Sequence, residues 1–147
     1  ADVPIALDAP YRPDSLYAVS KMFGEGLSRL YFDKFEIECL AIRICTAGFP
    51  GTNREARLWF NRDDMARMVD HALDMPVLGH RTVFGISNTE NAFFYNTPDD
   101  RWGFEPQHNG TELAPLDVHA HLDPSEPRHI LLGGAFATWG HQDDEAN

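Results

Sequence analysis

The stretch SLYAVSKMFGEGLSRLYFDKF, residues 15–35, carries a helical period from end to end and organises what surrounds it. Tyr17 and Lys21 stand four apart at its start, so on a helix both project from one face, about one turn apart. Phe23, Leu27, Leu30 and Tyr31 recur at spacings of three and four and form a second, apolar face. Gly24 and Gly26 each cost up to about 1 kcal/mol relative to alanine inside a helix, which predicts close approach of another backbone there. Asp14 or Ser15 supplies the N-cap.

A Tyr–Lys pair on one helix face has a use in hydride chemistry. A tyrosine hydroxyl, ordinarily near pKa 10, is a poor base at neutral pH. A neighbouring ammonium stabilises the phenolate and can also donate hydrogen bonds to a cofactor ribose. The bland alternative is an exposed pair on an amphipathic helix, because Tyr-x-x-x-Lys alone is common by chance.

Outward from the helix, the lead-in 2–13 is rich in Pro and Asp and reads as irregular. On the other side, EIECLAIRIC (36–45) is a nearly continuous apolar run, which predicts a strand buried on both faces of a parallel sheet. Helix followed by buried strand is half of a doubly wound α/β pattern. TAGFPGTN (46–53) is a breaker-rich loop leaving the carboxyl end of that strand, where open α/β sheets bind ligands. Arg54, Arg57 and Trp59 follow. Asn61 or Asp63 then caps a helix running through Met75, with Met65, Met68, Val69 and Leu73 on its apolar side. Asp63 and Asp64 read as helix-start residues rather than catalytic acids. RTVFGIS (81–87) reads as another strand. Beyond Glu112 the pattern weakens, with HILLGGAF (129–136) a short edge strand or packed segment and 142–147 a charged, frayed end.

The 147 residues suit one domain of ordinary core size. The net charge is −11, from 14 Asp and 9 Glu against 10 Arg and 2 Lys. That balance argues against nucleic acid, whose phosphates reward basic patches. It matches either an ordinary acidic protein or one adapted to high salt, where screening relieves self-repulsion. Cys39 and Cys45, six apart in one expected strand, would lie roughly 20 Å apart at about 3.3 Å per residue. A disulfide needs Cα atoms within about 7 Å. Reduced thiols and a cytoplasmic location are therefore expected. No apolar run approaches membrane-spanning length, and no signal peptide is evident. His119-Ala120-His121 has the form of a zinc-binding pair, although a solvated, Pro-flanked tail is the simpler reading.

Several pieces are more specific than Tyr-x-x-x-Lys: RPDSLYAVSK (12–21), LYFDKF (30–35), Arg43-Ile44 with Thr46, LWFNRDD (58–64), PVLG (76–79) and the run from FGISN (84–88) to WGFEPQ (102–107). LGGAF (132–136) and Gly140-His141 continue the pattern. Together they resemble the extended short-chain dehydrogenase/reductase, or NAD-dependent epimerase/dehydratase, family, most closely its branch that oxidises hexuronic acids. The resemblance implies an α/β fold: the C-terminal part of a Rossmann-type doubly wound parallel sheet plus a small substrate-binding region. Residues 1–118 would form that part and 119–147 a tail segment. No Gly-rich turn follows an early strand, so the dinucleotide half with its phosphate-binding turn is absent from these residues, and alone they are expected to be inactive.

The resemblance also implies a chemistry. NAD would be the cofactor, and glucuronate or galacturonate would be oxidised at the anomeric carbon to an aldarolactone. Tyr17 would be the base and, with Lys21, would also contact the cofactor, Lys21 stabilising the phenolate and holding the nicotinamide ribose. Ile44 and Cys45 would line the nicotinamide largely through backbone. Thr46 stands where the family has a substrate-contacting serine. Arg54 stands where it has the arginine that grips the carboxylate, a pairing suited to a bidentate guanidinium. Cys45-Thr46 replaces the family's Gly-Ser, and the loop before Arg54 is one residue shorter, which keeps Arg57 in play. A small sugar acid is the expected partner, with no metal, nucleic acid or membrane, and with self-association left open. The alternatives are action on another sugar (aldose, sugar phosphate or sugar nucleotide) and a non-catalytic fragment.

Overall fold

Ser15 begins the long helix. Its backbone is extended and its hydroxyl accepts from the Ala18 N–H at 3.1 Å, satisfying one of the unpaired donors of the first turn. The computed structural model describes residues 4–96 and 101–126, with 129 and 137. The segments expected at 130–136 and 142–147 lie outside these described residues. In chain order the elements are β1 (Ile5–Ala6), α1 (Leu16–Phe35), β2 (Cys39–Ile44), α2 (Asn53–Ala56), α3 (Arg62–Asp74), β3 (His80–Gly85), β4 (Phe94–Tyr95) and a 3-10 turn (Gly110–Leu113). Among them, no helix is long and apolar enough to cross a membrane.

β2 and β3 pair in parallel, from Cys39 opposite His80 to Ile44 opposite Gly85, with α2 and α3 in the connection. This is the βαβ crossover that parallel strands require. β1 and β4 form a second, two-residue parallel pair. Strand alternation sends neighbours to opposite faces. Leu40, Ile42 and Val83 pack with Phe60, Met68, Ala72 and Trp102 on the α3 side. Arg43 and Phe84 face the other way, where Arg43 meets Glu25 of α1. Helices on both faces of a parallel pair are the local form of a doubly wound sheet. Gly85 is required by packing: a Cβ there would lie 2.8 Å from both Ile42 and Phe60.

The structure differs from the sequence expectations at several points, beginning with the lead-in, where β1 stands in a stretch that reads as irregular. β2 is half-buried from Cys39 to Arg43 and exposed at Ile44, not buried on both faces; among the described residues β3 covers one of its edges and no strand covers the other. α1 meets the sheet through Ala18, Met22, Glu25, Ser28 and Phe32, which are half-buried, while its apolar face stays exposed, Phe23 at 70%. Glu25 and Ser28 can face the sheet because Arg43 and His80 receive them, Ser28 lying 2.9 Å from the His80 ring. Correspondingly, an added Cβ at Gly24 or Gly26 would meet nothing within 4 Å, so no backbone approaches either glycine among the described residues. On α3, Asp64, Met68 and Ala72 point inward, whereas Val69 and Leu73 are exposed.

α3 is bounded by local chemistry. The Asn61 side chain accepts from the Asp63 N–H, and Met75, preceding Pro76, turns extended. Asp64 does more than begin the helix. Its carboxylate is fully buried and accepts from the Ser87 hydroxyl (2.6 Å), the Gln107 N–H (2.8 Å) and the His108 N–H (3.1 Å), with Arg67 at 3.0 Å. Burial alone would push this carboxyl up, but the donors outweigh it and hold it below its ordinary value. Asp64→Ala would strand four donors, and is expected to lower unfolding stability by about 2–5 kcal/mol in urea titration. A depressed folded-state pKa stabilises above the unfolded value near 4 and is lost as pH falls through the folded one. The variant's deficit should therefore shrink in acid.

Candidate active site

Three pieces of chain converge at the carboxyl end of β2: the lead-in with the first turns of α1, the β2 exit, and α2. They enclose a cavity of about 550 Å³, within the range of small-molecule sites. Tyr17, Lys21, Ile44, Cys45, Thr46 and Arg54 all line it. The helix supplies the first two on one face, with the Lys21 ammonium 4.9 Å from the centroid of the Tyr17 ring. The strand exit supplies the next three. Thr46 is pinned by backbone, its N–H donating to Leu58 O (3.3 Å) and its carbonyl accepting from Phe60 N–H (2.8 Å). Cys45 keeps an exposed surface, yet its thiol is pushed up to about 11 by desolvation that the Arg54 charge only partly opposes. It is a neutral wall at physiological pH.

Arg54 arrives on a capped turn of helix. Thr52 Oγ1 accepts from the Glu55 N–H at 3.1 Å, and the Glu55 carboxylate accepts from the N–H of Gly51, the residue before the cap, at 2.7 Å, a variant of the capping box. The Arg54 guanidinium lies 5.8 Å from the Phe93 ring, and burial makes its charged form less favourable than in water. An anion entering the cavity would offset that cost. Arg57, one turn on, points elsewhere. Its Nε donates to Asn91 O at 2.6 Å, it lies 4.2 Å from Phe93, and it lines a separate cleft of about 390 Å³. His119 is engaged by Glu90 (2.8 Å) and by the Asn91 side chain (2.6 Å). Among the described residues, no cluster of three or more His, Cys, Asp or Glu could hold a metal.

The cavity also has walls that sequence reading passed over. Tyr11, Arg12, Glu25, Arg43, Glu55 and Leu58 are among them. Two carried a signal: Glu25 continues the four-residue spacing of Tyr17 and Lys21, and Arg43 is the one charge within the CLAIRI of β2. The others depend on a fold that brings residues 11–12 and 55–58 to one place.

No protein-family model matches the chain. It is 37% identical over 134 residues to uronate dehydrogenase of Agrobacterium fabrum, covering 88% of this chain and 50% of that one. Among solved structures, a glucuronic acid dehydrogenase from Chromohalobacter salexigens superposes with a TM-score of 0.82 at 36% identity, over 96% of this chain and 54% of the other. A tyrosine-to-alanine mutant of Agrobacterium tumefaciens uronate dehydrogenase, complexed with NAD, superposes with a TM-score of 0.79 at 32% identity, over 91% and 52%. The chain thus spans about half the length of the relatives it matches. In sequence and in its α/β, Rossmann-like fold, it is a homologue of the uronate dehydrogenases over that half.

Proposed function

We propose that this chain is part of an NAD-dependent enzyme that oxidises a hexuronic acid, glucuronate or galacturonate, at its anomeric carbon to an aldarolactone. The observation that carries the reading is one cavity holding a Tyr–Lys pair, a strand exit and a partly desolvated arginine. In this reading residues 1–118 belong to the catalytic domain and 119–147 form a tail segment.

Tyr17 takes the proton of the anomeric hydroxyl at its phenolate oxygen, and the C–O bond becomes the lactone carbonyl. Lys21 stabilises the phenolate before that transfer and donates to the nicotinamide ribose. Ile44 and Cys45 wall the nicotinamide side, and the Thr46 hydroxyl bonds a sugar hydroxyl. Arg54 binds the carboxylate through its two-pronged guanidinium and so fixes which end of the sugar faces Tyr17. The strand exit and the Tyr–Lys pair suit the nicotinamide–ribose end of NAD, while the described residues offer no Gly-rich turn for its pyrophosphate. Bound there, NAD supplies the acceptor for the hydride that leaves the anomeric carbon with its bonding electrons.

Steady-state assays of the enzyme containing this chain test the reading. With NAD, kcat/KM for a hexuronate should exceed that for the parent aldose by roughly 30-fold or more, because the aldose leaves Arg54 without its anion. Equal turnover of both sugars would favour a neutral-sugar dehydrogenase instead.

A further inference from the structure

Glu25 lies one helical turn beyond Lys21, as Lys21 lies one turn beyond Tyr17. A carboxylate four residues from an ammonium is a ready ion-pair partner on a helix. That pairing would draw Lys21 away from Tyr17 and set a negative charge beside the phenolate. The structure instead occupies both oxygens of Glu25. Arg43 Nε donates to Oε1 at 2.8 Å and Nη2 to Oε2 at 2.8 Å, the planar fork matched to the carboxylate. Tyr11 adds a donor to Oε2 at 2.5 Å and accepts from Arg43 Nη2 at 2.7 Å. The pair is mostly buried, with side chains 24% and 17% exposed for Arg43 and Glu25. Lys21 meanwhile rests against the Tyr17 ring.

We propose that Arg43 is a positioning residue: by clasping Glu25 across the α1–β2 interface it keeps that carboxylate from Lys21, and so reserves the ammonium for Tyr17. This rests on the assignment of Tyr17 as base and Lys21 as its partner. In place, the Arg43 hydrogen bonds hold the Glu25 carboxyl below its ordinary value; freed from Arg43 and turned toward the Lys21 ammonium it would still be ionised near neutral pH, because an unperturbed glutamate titrates near about 4.3. Other groups facing the cluster do not duplicate the clasp. Arg12 and Asp14 of the lead-in have opposite charges. Across the cavity, Arg54 and Glu55 of α2 are likewise opposite, and Cys45 is neutral. His80 of β3 bonds Ser28, and its positive form would only reinforce the hold on Glu25.

The test uses the enzyme containing this chain, with hexuronate and NAD. Arg43→Gln should lower kcat near neutral pH by about 10-fold and move the rise of kcat with pH upward by about one unit, while KM changes little. The double variant Glu25→Gln/Arg43→Gln has no carboxylate to capture Lys21, and should recover most of kcat and the original pH position. A profile left in place by Arg43→Gln would overturn the proposal, as would a double variant as shifted as the single. If Arg43→Gln does not fold, Arg43→Met carries the same test, since it removes both the fork and the charge that hold Glu25 while keeping an unbranched side chain. Tyr17→Phe separates the two levels. If it retains turnover, the assignment of the base fails. If it is inactive and Arg43→Gln is unshifted, only the role of Arg43 fails.

Discussion

Tyr17→Phe is expected to lower kcat for hexuronate at least about 100-fold, the usual scale of a positioned base. The substitution removes one oxygen and leaves the ring that the Lys21 ammonium rests against. NAD affinity, measured by fluorescence or calorimetry on the enzyme containing this chain, should therefore change little. The substitution also leaves the helix intact, because Tyr17 is exposed and its backbone sits within the first turns of a 20-residue helix capped by Ser15. A fall in kcat accompanied by an equal loss of NAD binding would mean that the hydroxyl serves the cofactor and not the substrate proton.

Arg54→Ala carries the second large effect. A uronate differs from its aldose by a carboxylate, and this acidic chain must hold that anion against its own field. Truncating one partner of a partly desolvated guanidinium–carboxylate pair costs about 2–5 kcal/mol. At 1.4 kcal/mol per decade, kcat/KM for uronate should drop roughly 30-fold or more. Arg57→Ala should do much less to kcat/KM, because Arg57 is committed to Asn91 O and Phe93 and lines a different cleft. Its cost should appear instead as looser packing of the segment around Asn91. The reverse pattern, with Arg57→Ala losing uronate and Arg54→Ala keeping it, would exchange their roles.

Several features are legible in residues 15–76 alone, because local rules decide them. A hydroxyl at Ser15 and an amide at Asn61 begin helices wherever the chain runs, and Pro76 ends one. The four-residue step from Tyr17 to Lys21 fixes a shared face as soon as the helix forms. The breakers at 46–53 end a strand, and in an open α/β layer that end is where ligands bind. The common placement of Tyr17, Lys21, Thr46 and Arg54 around one cavity follows from these local events and the parallel pairing of β2 with β3.

Tertiary structure alone decides which groups are buried and what they touch. Periodicity marks a face of α1 as apolar but cannot say which neighbour it meets, and the sheet is met by the stripe containing Glu25 and Ser28. Those polar residues are acceptable there because Arg43 and His80, 18 and 52 residues away, supply their partners. Asp64 reads as an ordinary first-turn acid until Ser87, Gln107 and His108 arrive to bind it. Arg54 and Arg57 stand one turn apart and are chemically identical. Only the loop carrying Asn91 and Phe93 draws one into a cleft of its own and leaves the other in the wall of the cavity, since a hydrogen bond across 34 residues depends on where the fold sets its acceptor.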